Sequence, residues 1–558
     1  MTKKKSHREL INSPTFCTLA WTGLSVSPSG SVTPCCLYED SIKTDQKSHR
    51  IYKDDISTFY NGSFMKDIRR KMLNNEFLDG CKQCYESEKY GGISLRKRAN
   101  ADEWDCIEDY GLDEDYIPQS IDLKLNNTCN LKCRMCQPRD SIQIYSEFSK
   151  IMENDPNFKY FQNSKLTDPE LQIDLKDVPN WENDESFFDQ IRSALPGMRK
   201  LSIVGGEPLI LDSLYKLLDL IVESGHSKHI FLVITTNLMT LRRDRIKEYF
   251  SQFEEILIQI SLDAVGRELS YIRHPSDFKK IEKNFRDLYD HPKVNDSVTL
   301  CFALTSQLYN AIYIVDVFKF VEALLKEGIL LSDQALAFTY LTYPRHLDIK
   351  NLPDKLRKVA IKELEEFEKS STMLIKQESF RQGFNQLLHT IKNEKNSDRK
   401  KLLNEFLYYS NTLDKQRNQS LQEALPDFYN GLIESKVKAV CPKPDFHMLR
   451  EEGWELASAD KLTEAIVMFE AALKTSTSKQ LDYRELGWMY MKLESFSLSY
   501  KNYKKAFSLE KNDPYILKGF AIIASILEKN RLCKKLLPLA LELNPGDNEL
   551  IEIQNRIS

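Results

Sequence analysis

Three cysteines on one short segment offer the clearest chemistry in this sequence. Cys129, Cys133 and Cys136 lie in NNTCNLKCRMCQP with C-x3-C-x2-C spacing, directly after the apolar run IDLKL. Three thiolates on one loop can hold three corners of a cubane iron–sulfur cluster. Because no fourth cysteine follows locally, one iron would keep an open position that an amine and a carboxylate of a ligand could chelate. Structural zinc sites prefer four protein ligands, so zinc fits this triplet less well.

A second set of thiols precedes the triplet. Alternating residues around SPSG predict a β-hairpin, which would return Cys35 and Cys36 towards Cys17. Cys81 and Cys84 follow in GCKQC, at the C-x2-C spacing that is common in metal knuckles. Four thiolates from a hairpin and a helix start can close a metal site completely, and these residue types permit zinc and iron–sulfur equally well.

The elements that must position these thiols alternate between strand and helix. Apolar strands are predicted at 121–125, 200–204, 229–235, 256–262, 298–304 and 335–341. Helical periodicity lies between most of them, which predicts six βα units and a parallel sheet, either open and doubly wound or part of a (βα)8 barrel. In both folds ligands gather at the carboxyl ends of the strands. The polar, proline-punctuated stretch 154–196 is predicted to be an insertion.

The end of the chain repeats with a period of 34 residues. Three registers share the spacing: Phe469, Tyr503 and Leu537; Ala472, Ala506 and Ala540; and Ala465, Ser499 and Cys533. A 34-residue period with small residues where helices touch is typical of tetratricopeptide repeats. The charged helical pattern at 346–445 predicts a connector. The stretch 101–116, with eight acidic and no basic residues, predicts a solvated linker.

The cysteine triplet behind the first strand of a βα series resembles the radical S-adenosylmethionine superfamily. The resemblance implies an α/β fold with a partial (βα)6 TIM-like barrel, and a [4Fe–4S] cluster on Cys129, Cys133 and Cys136. In that family the fourth iron chelates the amine and carboxylate of S-adenosylmethionine. An electron from the cluster then yields a 5′-deoxyadenosyl radical, which abstracts hydrogen from the substrate.

Further motifs follow the next strands in the family's order. VGGEP is similar to the GGE motif, TTN to TNG with Leu238 in place of the glycine, and SLDA to S-[IL]-D-G. By this resemblance Glu207 would pair with the methionyl ammonium and Arg273 with the methionyl carboxylate. Ser261 and Asp263 would lie near the ribose. The cofactor contacts implied are Met135, where relatives carry an aromatic residue, Gly205, Gly206, Glu207, Thr236, Asn237, Ser261, Asp263 and Arg273.

The upstream cysteines resemble the twitch or SPASM auxiliary-cluster module of the same enzymes, here placed before the barrel. A G-x4-C element runs from Gly30 to Cys35, and C-x2-C follows. This resemblance, which covers about residues 14 to 345, implies a second [4Fe–4S] cluster. Its implied ligands are Cys17, Cys35, Cys81 and Cys84, with Cys36 the competitor for Cys35. A zinc ribbon on the same four thiols is the alternative.

Composition limits the partners of the chain. Its 558 residues predict three or four domains, which we place at 1–116 (auxiliary module and acidic linker), 117–345 (barrel), 346–445 (connector) and 446–558 (repeats). Seventy-eight basic against 82 acidic residues leave a net charge of −4, so neither nucleic acid nor an anionic membrane is expected as a partner. The polar start and the lack of any apolar run near about 18 residues predict a cytoplasmic protein.

Together these features predict a radical S-adenosylmethionine enzyme. Relatives with the auxiliary module often act on peptides, and stacked repeats offer a concave surface. We therefore expect a peptide or protein substrate, and an electron donor such as flavodoxin or ferredoxin. Two alternatives remain: a radical enzyme on a small metabolite (a sugar or nucleotide), and a non-catalytic iron–sulfur scaffold.

Overall fold

The computed structural model describes residues 4–557 except 46, 90–93, 102–108, 113, 162–163, 169–170, 172, 242 and 331–333. The chain forms two compact units, Met1–Cys441 and Pro442–Ser558. No helix within the described ranges is long and apolar enough to cross a membrane.

A mixed sheet organises the larger unit. Its strands in chain order are β1 Gly23–Val26, β2 Val32–Thr33, β3 Ser120–Lys124, β4 Lys200–Val204, β5 Phe231–Thr236, β6 Glu255–Ser261, β7 Val298–Ser306 and β8 Leu336–Tyr340. The spatial order is β8-β7-β6-β5-β4-β3-β1-β2, and every pair is parallel except β1 with β2. The six strands predicted from the sequence are all present. Two-residue strands form three further pairs: Lys5–Ser6 with Asp109–Tyr110, Lys43–Thr44 with Lys47–Ser48, and Lys132–Cys133 with Arg273–His274.

Helices connect the parallel strands and continue beyond them. Those of eight or more residues in the larger unit are α1 Ser63–Leu73, α2 Lys82–Lys89, α3 Ile142–Asn154, α4 Glu185–Ala194, α5 Asp212–Glu223, α6 Phe278–Tyr289, α7 Ile314–Lys326, α8 Asp354–Ser370, α9 Glu378–Asn393, α10 Arg399–Arg417 and α11 Pro426–Glu434. Shorter helices are His7–Leu10, Leu19–Thr22, Ile56–Tyr60, Leu95–Ala101, Arg243–Glu248, Gly266–Ile272 and Leu421–Ala424. The predicted connector is therefore helical throughout most of its length.

The N-terminal hairpin is part of the main sheet. β1 pairs with β3 in parallel register, Gly23 opposite Ser120, and with β2 in antiparallel register. The predicted insertion packs on the same hairpin, since the fully buried Trp181 donates from Nε1 to the Pro28 carbonyl at 2.8 Å. Contacts between distant segments decide this placement, which local sequence patterns do not encode.

One residue of the acidic stretch departs from the expected solvated linker. Residues 102–108 and 113 lie outside the described part of the chain, but Tyr110 is fully buried. Its ring centroid lies 4.8 Å from that of Phe16 and 5.2 Å from that of Trp21. Burying an aromatic side chain of this size is strongly favourable. Tyr110 is thus packed in the core, while the acids Asp109, Glu114 and Asp115 around it stay exposed.

The smaller unit consists of helices in pairs. Its helices are α12 Phe446–Ser458, α13 Leu462–Ala472, α14 Lys479–Lys492, α15 Phe496–Leu509, α16 Pro514–Ile526, α17 Asn530–Leu543 and α18 Asn548–Ile557. A Cβ on Gly453 would lie 2.5 Å from the Phe469 ring, and one on Gly487 would lie 2.8 Å from Tyr503. The residues 34 apart therefore need small side chains because paired helices touch there, and the region is tetratricopeptide-like.

Candidate functional site

The three cysteines of the triplet come together on the loop after β3. The short strand Lys132–Cys133 pairs with Arg273–His274, and the Cys136 amide donates to the Cys133 carbonyl at 3.1 Å in a tight turn. The Cys129 sulfur accepts from the Leu131 amide at 3.4 Å. Cys133 is buried, whereas Cys129 and Cys136 are half-buried. The cysteine loop, residues 125–141, thus turns its thiols towards one another.

The thiols also interact with one another electrostatically. A hydrogen bond from Cys136 lowers the pKa of Cys133 and raises that of Cys136, and the Arg273 guanidinium lowers the Cys133 pKa further. Burial raises the pKa of Cys129 to about 12. Arg273 Nη1 lies 3.9 Å from the Cys133 sulfur. Thiolates packed this closely need a compensating positive charge, which a bound iron–sulfur cluster and a nearby guanidinium would both supply.

The glycine motif after β4 lies against the cysteine loop. Gly205 and Gly206 have φ values of +78° and +48°. A Cβ on Gly206 would lie 2.3 Å from the Thr128 carbonyl oxygen, and the Glu207 amide donates to the same oxygen at 2.9 Å. Only glycine satisfies both the left-handed backbone and this approach. The motif therefore holds the loop at its first cysteine.

Glu207 is fully buried and hydrogen-bonds to two other predicted cofactor contacts. Its carboxylate accepts from the Thr236 hydroxyl and the Asn237 amide, both at 2.7 Å, and from the Leu209 amide at 3.1 Å. Burial raises its pKa to about 7 despite these donors. Asn237 Nδ2 in turn donates to Asn130 of the cysteine loop at 2.8 Å. A carboxylate has further lone pairs available, so a ligand ammonium could join this network.

Leu238 stands where the TNG motif has glycine, and it adopts the left-handed backbone conformation that usually favours glycine. Its φ is +53°, and its side chain is fully buried. Its amide donates to the Thr236 hydroxyl at 2.9 Å, and its carbonyl accepts from Asn284 at 2.8 Å. The turn is retained although the residue type departs from the motif.

The structure pairs two predicted cofactor residues with each other. Arg273 Nε donates to Asp263 at 2.7 Å, and the fully buried Asp263 also accepts from the Thr305 amide at 2.8 Å. Asp263 therefore holds the Arg273 guanidinium beside the cysteines. Ser261 ends β6 half-buried, and Met135 is half-buried on the cysteine loop.

Arg134 is a residue of this region that the sequence reasoning missed. It stands between Cys133 and Cys136 in the sequence, its side chain is fully buried, and its Nη2 donates to Asp414 of α10 at 2.5 Å. The partner lies 280 residues away in the chain, so no local pattern indicates the contact. An arginine within the cysteine triplet was the sign that the sequence offered.

The upstream cysteines separate into two groups. Cys17, Cys35, Cys81 and Cys84 line one small cavity together with Tyr38 and Arg96. Cys36 does not line it but faces a second, larger cavity. Burial raises the pKa values of Cys35 and Cys81 to about 12. Of the two competing thiols, the structure thus brings Cys35 to the other three.

The residue types at both thiol groups fit iron–sulfur clusters. Within the described ranges, no group of three or more His, Cys, Asp or Glu side chains is arranged to hold a metal ion. The grouping of the thiols rests instead on the shared cavity upstream and on the mutual electrostatic effects within each set.

A cavity of about 720 Å³ lies beside the cysteine loop. Its walls come from the hairpin loop (Ser27, Ser29), the cysteine loop (Asn126, Thr128) and the insertion (Val178, Asn180). Tyr38 lines both this cavity and the small one that holds the upstream thiols. The volume falls within the range of about 300–1,000 Å³ typical of ligand sites.

Comparisons with known proteins bear on both thiol groups. The Radical SAM superfamily model matches residues 123–305, and SPASM, an iron–sulfur cluster-binding domain, matches residues 17–85. These matches confirm the predicted resemblance, and they indicate iron–sulfur and S-adenosylmethionine binding. No curated protein matches the chain.

Solved structures show weaker likeness. Native anSMEcpe with bound AdoMet is 15% identical, with 43% of this chain and 57% of that chain covered and a TM-score of 0.25. The Arabidopsis OM64 TPR domain is 15% identical, with 20% and 93% covered and a TM-score of 0.19. The second TPR domain of human RPAP3, solved with an HSP70 peptide, is 17% identical, with 20% and 97% covered and a TM-score of 0.19. All three TM-scores are below 0.5, so these likenesses do not establish a shared function.

Proposed function

Residues 123–305 belong to the radical SAM superfamily, and from this premise we propose an enzyme that cleaves S-adenosylmethionine reductively and abstracts hydrogen from a peptide or protein. Cys129, Cys133 and Cys136 would hold a [4Fe–4S] cluster. When bound, that cluster would supply the electron that breaks the C5′–S bond of S-adenosylmethionine, which gives methionine and a 5′-deoxyadenosyl radical. The observation that carries the proposal is the cysteine loop at the carboxyl end of β3, held by the glycine motif and by Glu207.

The chain's own residues would bind and orient the cofactor. Glu207 lies in a buried network of donors beside the cysteine loop, where a carboxylate attracts the methionyl ammonium. Asp263 holds the Arg273 guanidinium at 2.7 Å, ready for the methionyl carboxylate. Both sites are withdrawn from solvent, which strengthens their interaction with a charged ligand.

The upstream thiols would hold a second cluster. Cys17, Cys35, Cys81 and Cys84 line one cavity within the segment that matches the iron–sulfur domain. Four protein ligands leave no iron open, so electron transfer or structural support is the proposed role. Tyr38 separates this cavity from the larger one, which puts the second cluster next to the proposed substrate space.

The larger cavity supports a peptide substrate better than a nucleotide. Four cations line it: Lys124, Arg139 and Lys176 each lie within 4 Å of a carboxylate, and Lys165 also takes part in an interaction, so each already has a partner. A nucleotide or sugar phosphate needs cations that are free to pair with its phosphate groups. Hydroxyl and amide groups such as those of Ser27, Asn126 and Asn180 line the rest and suit a polypeptide backbone. The repeats would add a docking surface for the same polypeptide.

Production of 5′-deoxyadenosine tests the reaction class. Anaerobically reconstituted protein is mixed with S-adenosylmethionine and dithionite, and flavodoxin or ferredoxin then replaces dithionite as the donor. We expect product from the wild type and from Cys301→Ala, a buried thiol on β7, and none from Cys133→Ala. Cluster-replete protein that makes no product would support the non-catalytic scaffold instead.

Deletion of the repeats tests the substrate class. Protein lacking residues 442–558, which form a separate compact unit, is expected to keep 5′-deoxyadenosine formation but to bind candidate polypeptides more weakly. Equal polypeptide binding by both forms would show that the repeats are not the docking surface.

A further inference from the structure

The Arg134 guanidinium is an unusual feature of the cysteine loop. It is fully buried, lies over the Tyr271 ring at 3.5 Å, and donates from Nε to the Tyr271 carbonyl at 2.9 Å. Burying a guanidinium is costly unless a carboxylate and several hydrogen bonds compensate it. The fold therefore supplies specific partners to keep this cation in place.

Those partners come from helix α10 of the connector. Asp414 accepts from Arg134 Nη2 at 2.5 Å and also from the Leu421 amide at 2.7 Å, which fixes the carboxylate. One turn earlier on the same helix, the Tyr409 hydroxyl donates to the Arg134 carbonyl at 2.8 Å. The helix thus holds both the side chain and the backbone of the residue between Cys133 and Cys136.

The same helix also holds the loop at a second point. Arg417, the last residue of α10, donates to both oxygens of the buried Glu147 at 2.6 to 3.1 Å. Glu147 in turn accepts from Lys132 of the cysteine loop at 3.1 Å. α10 is therefore connected to the residues on either side of Cys133, to Arg134 directly through Asp414 and to Lys132 through Glu147 of α3.

We propose that Asp414 and Arg134 form a positioning pair, through which the connector fixes the cysteine loop in the geometry that a cluster needs. The inference rests on the proposed function, because it gives the loop a cluster to hold. Ion pairs of this kind often contribute little net stability compared with apolar packing, so a role in fixing one arrangement accounts for their presence here. The sequence assigned no such role to the connector.

The test compares Asp414→Asn and Arg134→Met with a control on the same helix. Arg399→Gln breaks an exposed ion pair, Arg399 with Asp354, that does not touch the loop. In reconstituted protein the reduction potential of the loop cluster is measured by redox titration with electron paramagnetic resonance. Asp414→Asn removes a negative charge and should raise the potential, whereas Arg134→Met removes a positive charge and should lower it. Arg134→Lys, which keeps the charge, should restore most of the shift.

General loosening of the fold would not move the two potentials in opposite directions. The proposal is overturned if both variants match Arg399→Gln in potential. If Arg134→Met fails to fold, the contrast between Asp414→Asn and Arg134→Lys still decides the outcome.

Amide hydrogen exchange of cluster-free protein separates this inference from the proposed function. Asp414→Asn should speed exchange across residues 125–141 by about tenfold or more, since it leaves a buried cation unpaired. Arg399→Gln should leave exchange there unchanged. If Asp414→Asn speeds exchange but the wild type takes up no cluster on reconstitution, the proposed function is refuted, while the contact between Asp414 and Arg134 is still shown to hold the loop. Unchanged exchange would refute the pair itself.

Discussion

Leu238 allows a quantitative test of how the site's backbone is built. It has a left-handed backbone, φ +53°, where relatives carry glycine, and its side chain is fully buried. Replacing Leu238 by alanine removes buried methyl groups at a cost of about 2–5 kcal/mol and keeps the left-handed strain. Replacing it by glycine also removes the buried Cβ, worth about 0.8 kcal/mol, but relieves strain of about 1–2 kcal/mol.

The balance predicts that glycine is better tolerated relative to alanine at position 238 than in an ordinary buried strand. In ordinary strands glycine is less stable than alanine by about 0.5–1 kcal/mol, because it loses more backbone entropy on folding, and a buried site adds about 0.8 kcal/mol for the lost Cβ. At position 238 the relieved strain offsets most of this loss, so Leu238→Gly and Leu238→Ala should have similar free energies of unfolding. Leu232, equally buried within β5, is the matched control, where alanine should be more stable than glycine by about 1–2 kcal/mol.

Urea unfolding followed by tryptophan fluorescence measures both pairs of variants. Replacing Trp454 and Trp488 by phenylalanine leaves only tryptophans of the larger unit, so the signal reports on residues 1–441. If alanine is more stable than glycine by the same amount at both positions, the left-handed turn at Leu238 is not a source of strain, and the reasoning about the motif fails.

Two further predictions concern the thiols and Glu207. Reconstituted Cys35→Ala should lose about half of the iron bound by the wild type, whereas Cys36→Ala should keep it, as measured by iron and sulfide analysis, because only Cys35 shares a cavity with the other three thiols. Equal iron loss in both variants would contradict this assignment. The raised pKa of Glu207, about 7 against an ordinary 4.5, means that the fold favours the protonated form. The free energy of unfolding of cluster-free protein should therefore fall as pH rises from about 4.5 to about 7, by up to about 3 kcal/mol, and the Glu207→Gln variant should lack this fall. Parallel pH profiles for the two proteins would refute the assignment.

The sequence predicted the local features of the fold well. The six parallel strands have strong apolar patterns, and each lies within a few residues of its predicted position. The 34-residue period predicted where helices touch, and Ser499 and Cys533 both hydrogen-bond to carbonyls twelve residues earlier, at Gly487 and Ala521. Periodicity and small residues encode such contacts directly.

Features that depend on distant contacts were not predictable. The hairpin joins the main sheet through the pairing of β1 with β3, nearly a hundred residues apart. The pair of Arg134 and Asp414 spans 280 residues. The choice between Cys35 and Cys36 depends on which way each side chain faces in a tight turn, and adjacent positions in one sequence do not show this.

The sequence predicted which residues lie at the site better than it predicted which of them contact one another. Glu207, Thr236 and Asn237 were each named from motifs, and the structure joins them in one hydrogen-bonded network. Asp263 and Arg273 were assigned to different parts of the cofactor but contact each other. Charged groups in a cleft pair with one another as readily as with a ligand, and a motif alone does not show which.

The open iron of the cysteine loop is the centre of this account, and labelled S-adenosylmethionine tests it most directly. Reduced, reconstituted protein is mixed with S-adenosylmethionine carrying ¹⁵N in its amino group, and electron–nuclear double resonance measures the coupling to the cluster. A ¹⁵N coupling that disappears in Cys133→Ala and persists in Cys36→Ala is the predicted result. A fully loaded cluster with no ¹⁵N coupling would mean that every iron already has a protein ligand, which would contradict the account.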